Sequence, residues 1–145
     1  QRYMNKISGP LLDRIDIQCE ISPVPFKDIS KAAPGEPSAR IRERVIRARE
    51  IQAERFKDFK GIHCNAQMTE RMIHQFAEPT EEGINLLRMA MEKLSLSARA
   101  YNRILKVART IADLAGSQQI EPQHLAEAIG YRTLDRGDWA ERGHF

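Results

Sequence analysis

Two hydrophobic periods divide the chain. Residues 15–21, IDIQCEI, alternate apolar and polar, the pattern of a strand with one buried face. From residue 38 onward the period lengthens to that of a helix. Ile41, Val45, Ala48, Gln52 and Phe56 recur at spacings of three and four, predicting a helix over 38–59 that Gly61 ends. A short helix is expected near 69–77. Pro79-Thr80 opens another over 80–94, with Ile84, Leu87, Met91 and Leu94 on one face. Ser97 caps a helix over 97–115 that Gly116 stops. Pro122 suits the first turn of a last helix reaching about Tyr131.

The joints are as readable. Tyr3, Met4 and Ile7 suggest the end of a helix, with Ser8-Gly9-Pro10 as punctuation. Residues 22–37 hold four prolines and a glycine and read as a linker. The tail from residue 132 shows no periodicity. No second strand of similar quality follows 15–21, and a lone strand cannot satisfy its backbone groups. Its partners are therefore expected outside this chain. The reading is a mainly α protein: the end of a larger core over 1–21 with one orphan strand, a linker over 22–37, a helical bundle over 38–131 and a tail over 132–145.

Composition narrows the chemistry. The chain has 145 residues, 41% apolar and 30% charged, with a net charge of +3. This suits a globular domain and permits an anionic partner. No apolar run approaches the roughly 20 residues that span a bilayer, and no signal-peptide pattern is present, so a cytoplasmic setting and no membrane partner are expected. Cys19 and Cys64 form no CxxC, and His63 beside Cys64 is too short a constellation for a metal, so no metal site is expected. There is no GxxxxGK[ST] loop, no acidic strand end for magnesium and no Ser/His/Asp grouping with local logic. The chain by itself should bind no cofactor and catalyse nothing.

Three basic groupings stand out. On the 97–115 helix, about 100° per residue places Arg99, Arg103, Lys106 and Thr110 opposite the apolar stripe of Tyr101, Ile104, Leu105, Ala108, Ile111, Ala112 and Ala115. A solvated face is the ordinary reading, but this ridge carries no balancing carboxylate, which favours an anion there. On the 38–59 helix, Arg40, Arg44 and Arg47 form a candidate nucleic-acid patch. The ordinary reading there is a self-paired face, with Glu43 and Arg47 at i, i+4. The third is Arg14, between Asp13 and Asp16 at the head of the strand pattern: either a solvated ion pair or a charge offered to something else.

The segments YMNKISGPLLDRIDIQCEI, SARIRERVIRAREIQAERF, CNAQM, LSARAYNRILKVARTIADLAGS and HLAEAIGYR closely resemble the C-terminal part of the ComM/YifB-type magnesium-chelatase-like proteins, over residues 2 to 136. The resemblance implies a bacterial AAA+ ATPase with an N-terminal domain similar to the Lon protease domain, a nucleotide-binding core, and a helical lid that this chain would supply. It implies ATP and Mg2+ as cofactors of the full-length protein, assembly into a hexameric ring, and, for the ComM branch, ATP-driven branch migration of DNA in natural transformation. Arg14 matches the position of an arginine finger acting on the neighbouring subunit's nucleotide, with Asp13 and Asp16 holding or orienting it. Arg99 matches a lid arginine that senses the γ-phosphate (sensor 2), with Arg103, one turn on, as the runner-up.

Two other readings stand beside this one. A stand-alone helical nucleic-acid-binding or adaptor domain would need neither Arg14 nor an orphan strand. The motor subunit of a true metal chelatase would need a chelatase partner system.

Overall fold

The computed structural model describes residues 7–30 and 33–132. Seven helices follow in order: α1 (Gly9–Arg14), α2 (Phe26–Ser30), α3 (Ser38–Phe56), α4 (Glu70–Phe76), α5 (Glu81–Lys93), α6 (Ala98–Leu114) and α7 (Pro122–Gly130), with a 3-10 turn at Asn65–Gln67. The five expected helices form, each within three residues of its expected bounds. Their starts follow local chemistry. The hydroxyls of Thr69, Thr80 and Ser97 accept hydrogen bonds from the backbone N–H of Met72, Gly83 and Ala100, occupying donors that the first helical turn leaves unpaired. Glu121 and His124 form a reciprocal cap at α7.

α6 is the central rod. Ala100, Ile104, Leu105, Ala108 and Ala112 are buried along it, and it packs against α3, α4 and α7. Burying each leucine or isoleucine here is worth about 1.5–3 kcal/mol. Ala115, expected on the same stripe, is exposed because the helix ends at Leu114. Phe56, Phe59 and Phe76 close one end of the core edge to face, with ring centroids 5.6–6.4 Å apart. α5 lies against α7. Their approach is so close that a Cβ on Gly83 would sit 2.7 Å from Leu125 Cδ1.

The structure differs from the expected reading at three points. Residues 15–21 do not form a strand: the described residues contain no β-ladder, and the segment runs as irregular chain. Its apolar residues do not form a buried face either: Ile15, Ile17 and Ile21 are exposed, and Gln18 is the one buried residue of the segment. The physical reason is the one that made the strand an orphan, the lack of any partner in this chain. Second, Ser8-Gly9-Pro10, expected as punctuation, is itself the start of a helix. It opens α1, with Pro10 in the first turn and the Ser8 carbonyl accepting from the N–H groups of Leu11 and Leu12 at 3.0 and 3.1 Å. The expected preceding helix end, at Tyr3 and Met4, lies outside the described residues. Third, the linker contains the short helix α2. On α3 only Ala48, Gln52 and Phe56 are buried, while Ile41 and Val45 stay 43% and 40% exposed, because the first half of the helix projects beyond the bundle.

Candidate functional site

The segment after α1 lies against the end of α7 and the start of α6. Leu12 is followed by Asp13, whose carboxylate accepts from the Ser97 hydroxyl at 3.2 Å. The same hydroxyl caps α6 by accepting from Ala100 N–H at 3.1 Å. Asp13 thus places negative charge at the positive end of α6. Arg132, whose side chain is fully buried, donates to the Ile15 carbonyl at 2.5 Å and to the Asp13 carbonyl at 3.3 Å. The Gln18 N–H donates to the Tyr131 carbonyl at 2.9 Å, and its side-chain amide to the Leu12 carbonyl at 3.2 Å. Asp16 pairs with Arg103.

Arg14 stands in the middle of these ties and takes part in none. It is the last residue of α1, it is exposed, and among the described residues its guanidinium has no hydrogen bond or ion pair. This corrects the expected role of its neighbours: Asp13 and Asp16 do not hold Arg14. Both carboxylates turn to the helical bundle and leave the arginine unengaged.

Beside this segment a cleft of about 240 Å³ is lined by Asp16, Ala66, Arg99, Asn102, Arg103 and Lys106. The cationic ridge of α6 therefore lines a cleft, but it is not uncompensated as expected. Arg103 is neutralised by Asp16, a carboxylate 87 positions away in sequence. Lys106 donates to the Ala66 carbonyl at 3.0 Å. Thr110 accepts from the Asn65 amide and donates to the Lys106 carbonyl. Arg99 is exposed and has no partner among the described residues. The two sensor candidates thus differ in their contacts: among the described residues Arg99 has no partner, whereas Arg103 pairs with Asp16.

On α3, Arg44 is held by both oxygens of Glu36. That hydrogen bond draws the Glu36 carboxyl below its ordinary range and raises Arg44. Arg40 and Arg47 are exposed and unpaired among the described residues, and the expected Glu43–Arg47 pair does not form. The candidate nucleic-acid patch is therefore two free arginines flanking a neutralised one.

One polar centre went unread in the sequence. Asp113, fully buried, accepts from Arg55, Arg109 and Asn65. Asn65 in turn accepts from Arg55 at 2.8 Å and takes the Gln52 side-chain oxygen on its own N–H at 2.9 Å. Burial pushes the Arg109 guanidinium below its ordinary value, against the pull of Asp113. This network ties α3, the 3-10 turn and α6 together. Gln52, at a core position of the α3 stripe, was its one sequence signal.

Arg14 and Arg99 are exposed cations with no partner among the described residues. Nothing in the sequence cradles a triphosphate, and among the described residues no three His, Cys, Asp or Glu side chains gather as a metal site. No helix among them is long and apolar enough to cross a membrane.

Comparison with known proteins places this geometry. Residues 35–132 match the family described as magnesium chelatase, subunit ChlI C-terminal, and residues 1–29 match magnesium chelatase, subunit ChlI. The chain is 45% identical over 136 residues to the competence protein ComM of Haemophilus influenzae, covering 93% of this chain and 26% of that protein. It is 44% identical over the same length to the uncharacterized protein YifB of Escherichia coli, with the same coverage. An uncharacterized protein of Mycobacterium tuberculosis is 35% identical over 132 residues, 91% of this chain and 26% of its own length. The chain spans about a quarter of the length of these relatives. It belongs to the magnesium-chelatase-like AAA+ proteins of the ComM/YifB type, and its helical bundle is the C-terminal domain of that family.

Proposed function

We propose that this chain is the lid module of a ring-forming ATPase, with Arg14 as an arginine finger acting on the adjacent subunit's nucleotide and Arg99 as the sensor of its own. The observation that supports the reading is Arg14 itself: an exposed guanidinium with no partner among the described residues, on a segment whose flanking carboxylates are both engaged elsewhere. An arginine kept solvated and unpaired on a tethered segment is what an in-trans contact requires. Phosphoryl transfer spreads charge over the γ-phosphate oxygens, and a planar, permanently charged guanidinium stabilises it.

ATP and Mg2+ would be held by an upstream core and supply the phosphoryl chemistry. This chain's residues would orient and sense. The proposed setting is a cytoplasmic hexamer that works on DNA, with branch migration during transformation as the task, in line with the competence role that the Haemophilus relative's name carries.

The test is Arg14→Ala in the full-length protein. Nucleotide binding should persist while hydrolysis falls at least about a hundredfold. Arg14→Lys should restore little, since a point charge on a flexible stem does not reproduce the planar fork. Unchanged hydrolysis in Arg14→Ala would overturn the reading.

A second reading has its own observation. Arg40 and Arg47 are exposed on the projecting half of α3 with no partner among the described residues, which suits contact with a phosphate backbone. If that contact is the chain's whole task, the isolated chain should bind DNA tightly at physiological salt. If the lid reading holds, binding should be weak and steeply salt-dependent.

A further inference from the structure

Arg132 is the most deeply buried cation among the described residues, and neither the finger nor the sensor reading uses it. Its side chain is fully enclosed, and two backbone carbonyls are among the groups it serves. It donates to the carbonyls of Ile15 and Asp13, and the Asp13 carboxylate lies 3.9 Å away. Burying a guanidinium is costly unless its donors are used. Here Nη1 and Nη2 grip the two residues on either side of Arg14.

Three further ties act on the same short segment. Ser97, the cap of α6, holds Asp13. Arg103, on the second turn of α6, holds Asp16. The Tyr131 carbonyl, next to Arg132, accepts from the Gln18 N–H. The segment 13–18 is thus fastened to the start of α6 and the end of α7, while the Arg14 guanidinium within it is exposed and has no partner among the described residues. Arg99, which opens onto the neighbouring cleft, rides on the first turn of that same α6.

We infer that Arg132, with Asp13 and Asp16, is a positioning clamp that makes the Arg14 segment and the start of α6 one mechanical unit, so that lid movement in one subunit sets the placement of its Arg14 at the next. The inference rests on the finger reading of Arg14. It adds that the finger is steered through the lid of its own subunit. Displacing a catalytic group by about 1 Å can cost on the order of a hundredfold in rate, so small lid movements are enough.

The experiment mixes full-length subunits. Finger donors lack the phosphate-loop lysine of the proposed core and keep Arg14. Acceptors carry Arg14→Ala and keep that lysine. Each alone should be inactive, and mixed rings, verified by co-purification of differently tagged subunits, should recover hydrolysis. Arg132→Gln placed in the donor should cut the recovered hydrolysis about tenfold or more. The same change in the acceptor should alter it by no more than about twofold. Asp16→Asn, at an exposed site that does not threaten folding, should reproduce the asymmetry in weaker form. Amide hydrogen exchange gives a readout free of turnover: the Gln18 N–H should exchange about tenfold faster in Arg132→Gln, because its acceptor segment is loosened. If parent donors restore nothing, the finger reading falls and the clamp's role falls with it. If parent donors restore hydrolysis and both clamp variants do so equally well, or lose it equally from donor and acceptor sides, the finger stands and the clamp inference is overturned.

Discussion

Arg55 of α3 and Asp113 of α6 meet fork to fork, Nη1 to Oδ2 at 2.7 Å and Nη2 to Oδ1 at 2.5 Å, across 58 positions of sequence. The carboxylate is fully buried and the guanidinium nearly so. Two parallel charged hydrogen bonds in such a place fix the distance and rotation of the two helices together. Arg109, one turn before Asp113 on α6, uses its remaining donors on the Ser117 and Gln118 carbonyls at 2.6 and 2.8 Å, so the turn after α6 hangs from the same centre.

Removing that carboxylate leaves two largely enclosed guanidinium groups without their counter-charge. Asp113→Ala should lower the unfolding free energy by about 3–5 kcal/mol, read as a drop in the urea midpoint. Glu36→Ala, which breaks the exposed pair with Arg44, should leave the midpoint unchanged. Equal midpoints for the two variants would show that the buried centre does not hold the helices together.

Gly83 tests the packing of α5 on α7. A methyl group there would lie 2.7 Å from Leu125 Cδ1 and 3.0 Å from Pro79 Cβ. Leu125 is completely buried and has little room to move. Alanine is the better helix former by about 1 kcal/mol, but overpacking costs about 1–3 kcal/mol. Gly83→Ala should therefore destabilise on balance, by roughly 1 kcal/mol in urea unfolding. A gain in stability would show that the two helices separate freely.

The sequence made the bundle readable because its helices carry their own signals: Thr80 and Ser97 at helix starts, and an apolar stripe on α6 of which Ile104, Leu105, Ala108 and Ala112 are buried. What it hid was long-range polar pairing. Asp16 and Arg103 lie 87 positions apart and Arg132 and Ile15 lie 117 apart. Periodicity speaks only of neighbours one turn away, so the α6 ridge looked uncompensated and Asp13 looked like a partner for Arg14. The alternation of residues 15–21 misled for a related reason: a strand is a property of two segments, and this chain holds one.

Tyr131 gives a pH signature at the clamp. Its hydroxyl donates to Glu127 Oε1 at 2.7 Å, and this hydrogen bond to a carboxylate raises the phenol above its ordinary 10.0. A group raised on folding contributes stability that is fully present below its unfolded value and is lost as pH climbs through the folded one. The contribution should therefore hold at neutral pH and fade only in strong alkali. The absorbance difference between the parent chain and Tyr131→Phe should titrate above pH 10, and Glu127→Gln should bring that titration down. An unshifted curve in Glu127→Gln would show that the hydrogen bond is not populated.

The last prediction separates Arg99 from Arg103, which stand one turn apart on α6 and differ in what they touch. Arg99 is exposed and unpaired among the described residues, so its truncation should cost less than about 0.5 kcal/mol of stability. Arg103 pairs with Asp16, with side chains 29% and 51% exposed, so its loss should cost up to about 1 kcal/mol. In the full-length protein the order should reverse for function at the subunit's own site. Under the proposed sensor role, Arg99→Ala would remove a charged contact to phosphate worth about 1.5–3 kcal/mol, and hydrolysis should fall by about tenfold to a hundredfold. For Arg103, the exchange of charges in Asp16→Arg with Arg103→Asp should restore both stability and hydrolysis, because the residue acts through its pairing. Loss of hydrolysis in the exchanged protein, with its stability restored and Arg99→Ala still active, would transfer the sensing role to Arg103.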